Sequence, residues 1–493
     1  MKPDLYPTRP QILWDQFYQF TLHPRPSKKE DQIRKYIITL AQKNKIPYRL
    51  DQQGNLALFV PASKGYESAP SVLIQNHLDM VCDALPGKKI NFETDGLQLK
   101  IQDDWLLAQD TTLGADNGLG CAAALALILD EKVIHPKLEI LFTVDEETGL
   151  GGALNLSIEE LGLVSETMIN LDTEDWGILY VGCAGGFEQE FTKDIVLVET
   201  NHSTCLQFEI TGLCGGHSGI EIHLQHGNAI KLMIQALTEL EPLGIELMEM
   251  RGGKAHNIIP RDALALFTAP DSQIEKIENK ILEIEKIWKA ILPKADQNLK
   301  IKIKKIETLN KKKVMSKKDF KHFLSFHHLF PNGAHLFDWR STELLVSVSN
   351  NLAISLFVNE KLYTLSSTRF LDRPQSNFLL DKYHSLAEHF NYHLNIDTGY
   401  PSWKPIFDSP VVNLVKSQYE ILYGETPNVA AIHAGLECGI IKDKMPDVDI
   451  VSFGPTIKGA HSPTERVHIP SVEKFWTLLL AVMKKLAQVN QQP

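Results

Sequence analysis

The chain lacks any hydrophobic run long enough to cross a bilayer. Its longest wholly apolar stretch, Cys121 to Leu129, is nine residues, against the roughly 20 a spanning helix needs. No membrane partner is expected. The N-terminus also lacks the apolar core of a secretory signal, because MKPDLYPTRPQILWDQF places Asp4, Asp15 and prolines there. Cysteine is scarce: Cys82, Cys121, Cys183, Cys205, Cys214 and Cys438 contain no C-x-x-C pair. That argues against a thiolate zinc cluster or a disulfide framework and makes reduced thiols in a cytoplasmic protein the expectation. Positive charge is in deficit too, with 50 basic against 61 acidic residues and a formal charge of -11. A broad phosphate-binding footprint is disfavoured, so nucleic acid is not expected as a partner. What remains is a folded composition, 43% hydrophobic and 23% charged over 493 residues. At roughly 100–200 residues per domain, this implies two to four domains.

Asp31 to Gln42 repeats apolar residues at helical spacing, with Ser27 upstream as a candidate cap. Three short apolar runs then end in metal-ligand residue types: SVLIQN before His77, LEILFTV before Asp145 and TMINL before Asp172. Separated by helical stretches such as Asn117 to Lys132, they predict an α/β domain with a mixed, mostly parallel sheet flanked by helices. Sites in such sheets gather at the carboxyl ends of the strands. A fourth run, Val448 to Gly454, ends shortly before His461 and follows the third by some 280 residues. The gap predicts an inserted α+β lid domain over residues 186–399, with residues 1–185 and 400–493 forming the catalytic domain. Inside the insertion, CLQFEITG and LYTLSSTRF alternate as strands and Ile274 to Ile291 reads as an amphipathic helix. Ten lysines fall between Lys300 and Lys321. They read as a solvated strand face and surface loop, or as an anionic partner site.

NHLDMV places His77 and Asp79 on one side of an extended chain. A carboxylate two residues beyond a histidine can hold its second ring nitrogen and fix the tautomer of a metal ligand, although an isolated H-x-D is also common elsewhere. In TTLGADNGLG, Asp116 or Asn117 can equally cap the following helix. DEETG sets Asp145, Glu146 and Glu147 side by side after a buried strand, a crowding that is costly without a cation unless the turn is solvated. Adding Asp172 and His461 gives two histidines and at least three carboxylates at strand ends, a set suited to a pair of divalent ions. Such a pair activates water for hydrolysis while a free carboxylate takes the proton.

The ordered motifs NHLDMV, TTLGADNG, DEETG, NLDTED, GGHSGIEIHLQHGNA, HAGLECG and GPTIKGAHSPTERVHI resemble the co-catalytic zinc peptidases related to carboxypeptidase G, aminoacylase and peptidase T. Within them the chain is most similar to the bacterial aminoacyl-histidine (Xaa-His, carnosinase-like) dipeptidases, from about Ile12 to Lys485. The resemblance implies a catalytic α/β domain interrupted by a lid, with two divalent ions, zinc first and manganese or cobalt as alternatives. It implies that Asp116 bridges the ions, with His77 and Asp172 completing one site and Glu147 and His461 the other. Glu146 would be the general base, and Asp79 would orient His77; Asp145 receives no ligand role. In the lid it implies that His217 stabilises the oxyanion, that Arg369 pairs with the substrate's C-terminal carboxylate, and that Asn257 touches substrate. His223 and His226 are read as helix-start residues.

Glu437, in HAGLECG, is a candidate for holding the free α-ammonium of a dipeptide, or is buried with a partner. The expected activity is hydrolysis of a small dipeptide with a free N-terminus, Xaa-His preferred. An N-acyl amino acid deacylase or a broader di- or tripeptidase is the alternative, with a noncatalytic binding scaffold behind them. A homodimer through the lid is a further expectation from the resemblance.

Overall fold

The apolar runs form the parallel centre of an eight-stranded sheet in the computed structural model, which describes residues 2–306, 313–340 and 344–489. Across the sheet the order is Tyr48–Leu50, Leu56–Val60, Leu138–Thr143, Val72–His77, Thr167–Asn170, Asp449–Ser452, Ile178–Cys183 and Asn428–Ile432. Val72–His77 runs parallel to both neighbours, and Asp449–Ser452 runs parallel to Thr167–Asn170. Leu56–Val60 and Ile178–Cys183 pair antiparallel on either side of this centre. The sheet is mixed, as expected. Every residue of Val72–His77 and Leu138–Thr143 is buried, which explains why apolar residues point to both sides of each strand: both faces of this central part of the sheet are covered.

The helix Ala115–Leu129 packs beside Val72–His77 and against Gln11–Leu22. Its run of Cys121 and alanines, all buried, keeps side chains short where backbones approach. The helices Pro410–Tyr423 and Ile469–Ala487 pack on each other. Pro410–Tyr423 is delimited by Ser409, whose hydroxyl accepts from Val412 N, and by Gly424 at φ +69°, the usual stop and start chemistry. The helix Asp31–Lys43 forms, but Ser27 does not cap it. Glu30 holds the cap position, and the Ser27 hydroxyl donates to Asp79 Oδ2 instead, at 2.7 Å. A second small sheet, Ile457–Lys458, Arg466–His468, Trp105–Ala108 and Leu99–Gln102, carries the loop bearing His461.

The chain divides into two compact units. The first comprises residues 1–183, 403–431 and 436–493, and the second 184–402 with 432–435. The second is built on a nine-stranded sheet with antiparallel pairings throughout. It has its own apolar core, to which Ile277, Ile281, Ile284 and Trp288 contribute from the helix Ile274–Ile291. In Lys300–Ile306 the lysines are exposed and the isoleucines half-buried, so this part of the lysine-rich segment is a solvated strand face. Residues 307–312 of that segment lie outside the described residues. Among the described residues, no helix is long and apolar enough to cross a membrane.

Candidate metal centre

Three parallel strands stop where ligand-type side chains begin. Val72–His77 ends on His77, Leu138–Thr143 leads into Asp145, Glu146 and Glu147, and Thr167–Asn170 leads into Asp172. Asp116 arrives through a turn that only glycine permits. Gly114 has φ +66°, and a Cβ there would lie 2.7 Å from Met80 Sδ and 2.9 Å from the Arg25 guanidinium. The chain kinks at Asp116 and Asn117 as it enters the helix, and the side-chain bonds of these two residues go elsewhere than to a cap: the Asp116 carboxylate faces His77 and His461, and Asn117 donates to Leu171 O and Asp172 Oδ1.

The Asp116 carboxylate faces two histidines. His77 Nε2 lies 3.0 Å from its Oδ1, and His461 Nε2 lies 3.1 Å from its Oδ2. His77 Nε2 is also 3.3 Å from Asp172 Oδ1, and His461 Nε2 is 3.0 Å from Glu147 Oε2. Two triads of donor atoms thus share one carboxylate. His461 has φ +62°, costing a non-glycine residue about 1 kcal/mol or more, within a turn where the Ser462 hydroxyl donates to Gly459 O. Its side chain is 54% exposed while that of His77 is 1% exposed, so the cluster runs from the sheet interior to a solvent-facing rim.

The residues present fit a metal. Among the described residues, His77, Asp116 and Glu147 offer ligand atoms all within 4.8 Å of one another. Glu147 Oε1 is buried with no hydrogen-bond partner among them. Two ligands held about 2.0–2.1 Å from a tetrahedral ion stand about 3.3 Å apart, close to the spacing within each triad. Imidazole and carboxylate donors suit a hard-to-borderline divalent ion.

Surrounding groups fix the cluster. Asp79 lies 3.4 Å from His77 Nδ1 through Oδ1. Its two oxygens also accept from Glu146 N at 3.0 Å and Glu147 N at 3.1 Å. Burial raises its pKa, but His77 and these hydrogen bonds outweigh burial and hold it at about 2. Asn117 donates to Asp172 Oδ1 at 2.5 Å. Desolvation pushes Asp172 up to about 6 against the pull of His77. It also raises Glu146 well above the usual carboxylate range, with Glu147, Asp172 and Glu437 adding to the effect and His77 opposing it. Asp145 turns away from the cluster: its carboxylate accepts from the Thr148 hydroxyl and lies 3.8 Å from Lys28 Nζ. Glu174, which the motifs do not single out, is pushed up to about 8 by burial and by Asp116.

Glu437 is 1% exposed. Its Oε2 accepts from Gln75 Nε2 and Thr143 Oγ1, both at 2.6 Å, beneath the strand ends that carry the ligands.

The second unit gathers its own set around Gly219. Gly219 N and Ile220 N donate to His217 Nδ1 at 3.1 and 3.2 Å, which assigns the ring proton to Nε2. A Cβ at Gly219 would lie 3.0 Å from His217 Cε1 and 3.2 Å from Arg369 Nε, so only glycine lets these side chains meet there. Arg369, on the strand Lys361–Phe370, is 6% exposed and donates to Tyr400 Oη at 2.8 Å. Its Nε is buried without a partner among the described residues. His433, 2.7 Å from Ser349 Oγ, is held neutral by burial and by the nearby Arg369 charge, its pKa lowered to about 3. Asn257 supports the turn through its carbonyl, which accepts from Ser218 N at 2.8 Å. His223 sits in the 3-10 turn Ile222–Leu224, while His226 Nδ1 lies 2.6 Å from Gly215 O.

Residues 73–485 match the family described as Peptidase family M20/M25/M40. The chain is 36% identical over 485 residues to the cytosol non-specific dipeptidase of Escherichia coli (strain K12), covering 97% of this chain and 98% of that protein. It is 34% identical to the crystal structure of aminoacylhistidine dipeptidase from Vibrio alginolyticus, with a TM-score of 0.84 over 97% of this chain and 96% of the other. A tripeptidase from Staphylococcus aureus shares the fold at a TM-score of 0.55 and 15% identity, over 97% and 98% of the two chains. The chain belongs to peptidase family M20/M25/M40.

Proposed function

We propose that this chain is a dinuclear metal dipeptidase that cleaves dipeptides with a free N-terminus, Xaa-His preferred. The observation that carries the reading is Asp116, which turns one oxygen to His77 and the other to His461 at 3.0 and 3.1 Å, as a carboxylate shared by two ion sites requires. His77 and Asp172 complete one site, and Glu147 and His461 the other. Zinc is the first choice, with manganese and cobalt compatible with the same donors. When bound, the two ions supply Lewis acidity to the scissile carbonyl and acidify a water for attack near neutral pH.

The chain's own residues do the rest. Glu146 accepts the water's proton on a carboxylate oxygen and passes it to the leaving nitrogen. His217 donates from Nε2 to the developing oxyanion, its tautomer set by the two amides on Nδ1. Arg369 pairs with the substrate's C-terminal carboxylate, and Asn257 contributes a substrate contact beside His217. Asp79 keeps His77 and the backbone of Glu146 and Glu147 in register. We assign Glu437 to support of the sheet, because its hydrogen bonds go to the two strands beneath the ligands and its 1% exposure leaves it no open face.

A broader dipeptidase is the second reading, favoured by the non-specific activity in the name of the Escherichia coli relative. The test is hydrolysis of a free Xaa-His dipeptide, its N-acetylated form and a dipeptide without histidine, by chelated protein before and after zinc, manganese or cobalt is restored. Metal-dependent cleavage of the free Xaa-His substrate, faster than of the other two, is expected. Equal rates on both free dipeptides would favour the broader enzyme, and preference for the acetylated form would make it a deacylase.

A further inference from the structure

The carboxylate at the centre of the proposed site is held by a group that lies inside the motif GPTIKGAHSPTERVHI without a role given to it. Glu465, four residues beyond His461, is 2% exposed. Its Oε2 accepts from Leu113 N at 2.7 Å and Gly114 N at 2.8 Å, and its Oε1 accepts from Ala115 N at 2.7 Å and Asp116 N at 3.3 Å. Four consecutive amides therefore converge on one side chain, a concave arrangement of N–H groups that suits an anion. The left-handed Gly114 is part of this turn. Arg25, 0% exposed, grips the same turn through Gly114 O and contacts Met80 Sδ at 3.3 Å. Glu465 N donates to Ser462 O at 3.0 Å, so the side chain that clamps the Asp116 turn belongs to the loop that presents His461.

We propose that Glu465 is a positioning residue that locks Asp116 against His461 and so sets the affinity of the site they share. It rests on the dinuclear reading above. Two segments 349 residues apart in sequence must hold oxygen and nitrogen ligands to a fraction of an ångström, and one buried carboxylate fixes both. The charge and its two oxygens are each needed. A glutamine keeps the length, but its NH2 would face two of the four amides and leave them without an acceptor.

The test is titration of chelated wild type, Glu465→Gln, Glu465→Asp and Asp116→Asn with Co2+, read by equilibrium dialysis and visible absorption. Thermal midpoints of the chelated proteins and kcat and KM against metal concentration complete it. Groups that orient ligands typically carry about 10–100-fold in metal affinity. Glu465→Gln is expected to fold and to bind one equivalent about 10–100-fold more weakly, with an altered Co2+ spectrum. Its kcat should fall at limiting metal and recover at excess metal, with KM nearly unchanged. Glu465→Asp, which restores the charge one methylene short, should recover part of the affinity. Two equivalents bound by Glu465→Gln with wild-type affinity and spectrum would overturn the inference, as would a kcat loss that excess metal does not relieve. If Glu465→Gln fails to fold, Glu465→Asp decides by the same measurements. Asp116→Asn separates the two ideas: if it retains both equivalents, the dinuclear reading fails, whereas loss there with a wild-type Glu465→Gln sinks only the role of Glu465.

Discussion

The strand-end cluster of the first unit and the Gly219 turn of the second both gather ionisable side chains, but they balance charge differently. At the strand ends, Asp116, Glu147 and Asp172 crowd two imidazoles, with Glu146 forced well above its usual range. Around Gly219, His217 Nδ1 is satisfied by two amides of its own turn and Arg369 leans on the Tyr400 hydroxyl. The first arrangement is suited to a cation, whereas the second draws its hydrogen bonds from the chain itself. The metal-dependent and substrate-recognising parts of one reaction should therefore come apart under mutation and chelation.

The largest effect tests the first cluster directly. Chelation should abolish turnover and lower the thermal midpoint, because an ion present at about 1,000 times its dissociation constant stabilises the folded state by about 4 kcal/mol. Calorimetry with and without added zinc checks this; an unchanged midpoint would mean that the acidic cluster binds no structural or catalytic ion. Next, Glu146→Ala should keep its metal content and lose about 10²–10⁴-fold in kcat. Near-wild-type turnover would remove Glu146 from the proton path. His217→Ala should cost about 10²–10³-fold in kcat while leaving metal content intact, and a drop in bound metal would erase the contrast between the clusters.

The same contrast decides what could be read from the sequence. The strands before His77, Asp145 and Asp172 were legible because a central parallel strand needs apolar residues on both faces, and the ligands follow them directly. Ile274–Ile291 was legible from its periodicity, and its bounds match the expected helix. The supporting contacts were not. Ser27 has the chemistry of a cap, but Asp79, brought close by tertiary folding, takes its hydroxyl. Arg25 carries no local signature, and Glu465 lies in a motif that gives it no role, since their partners lie 89 and 349 to 352 residues away. The tautomer of His217 depends on a turn whose glycines were visible but whose amide directions were not.

Arg369→Ala sharpens the recognition side. A charge-assisted hydrogen bond is worth about 1.5–3 kcal/mol, so KM for a free dipeptide should rise about 10–150-fold with kcat much less affected. C-terminally amidated substrates should lose far less. An equal loss on both would show that Arg369 supports the turn rather than reading the carboxylate.

The smallest effect concerns Glu437, where support of the sheet predicts a dependence on pH rather than on substrate. Burial, only partly offset by His77 and Thr143, pushes this carboxyl from 4.5 up to about 7. Below about pH 4.5 it is neutral in both the folded and the unfolded chain and contributes nothing to the pH dependence. Between there and about 7, the unfolded chain releases a proton that the folded chain keeps, so stability falls as pH rises and then levels off. Glu437→Gln keeps an acceptor for Gln75 and Thr143 without the charge. In chelated protein its thermal midpoint should exceed that of wild type by about 2–6 °C at pH 8, with the difference shrinking toward pH 4.5 and KM for free dipeptides unchanged. A KM rise confined to substrates with a free ammonium would instead place Glu437 against the substrate.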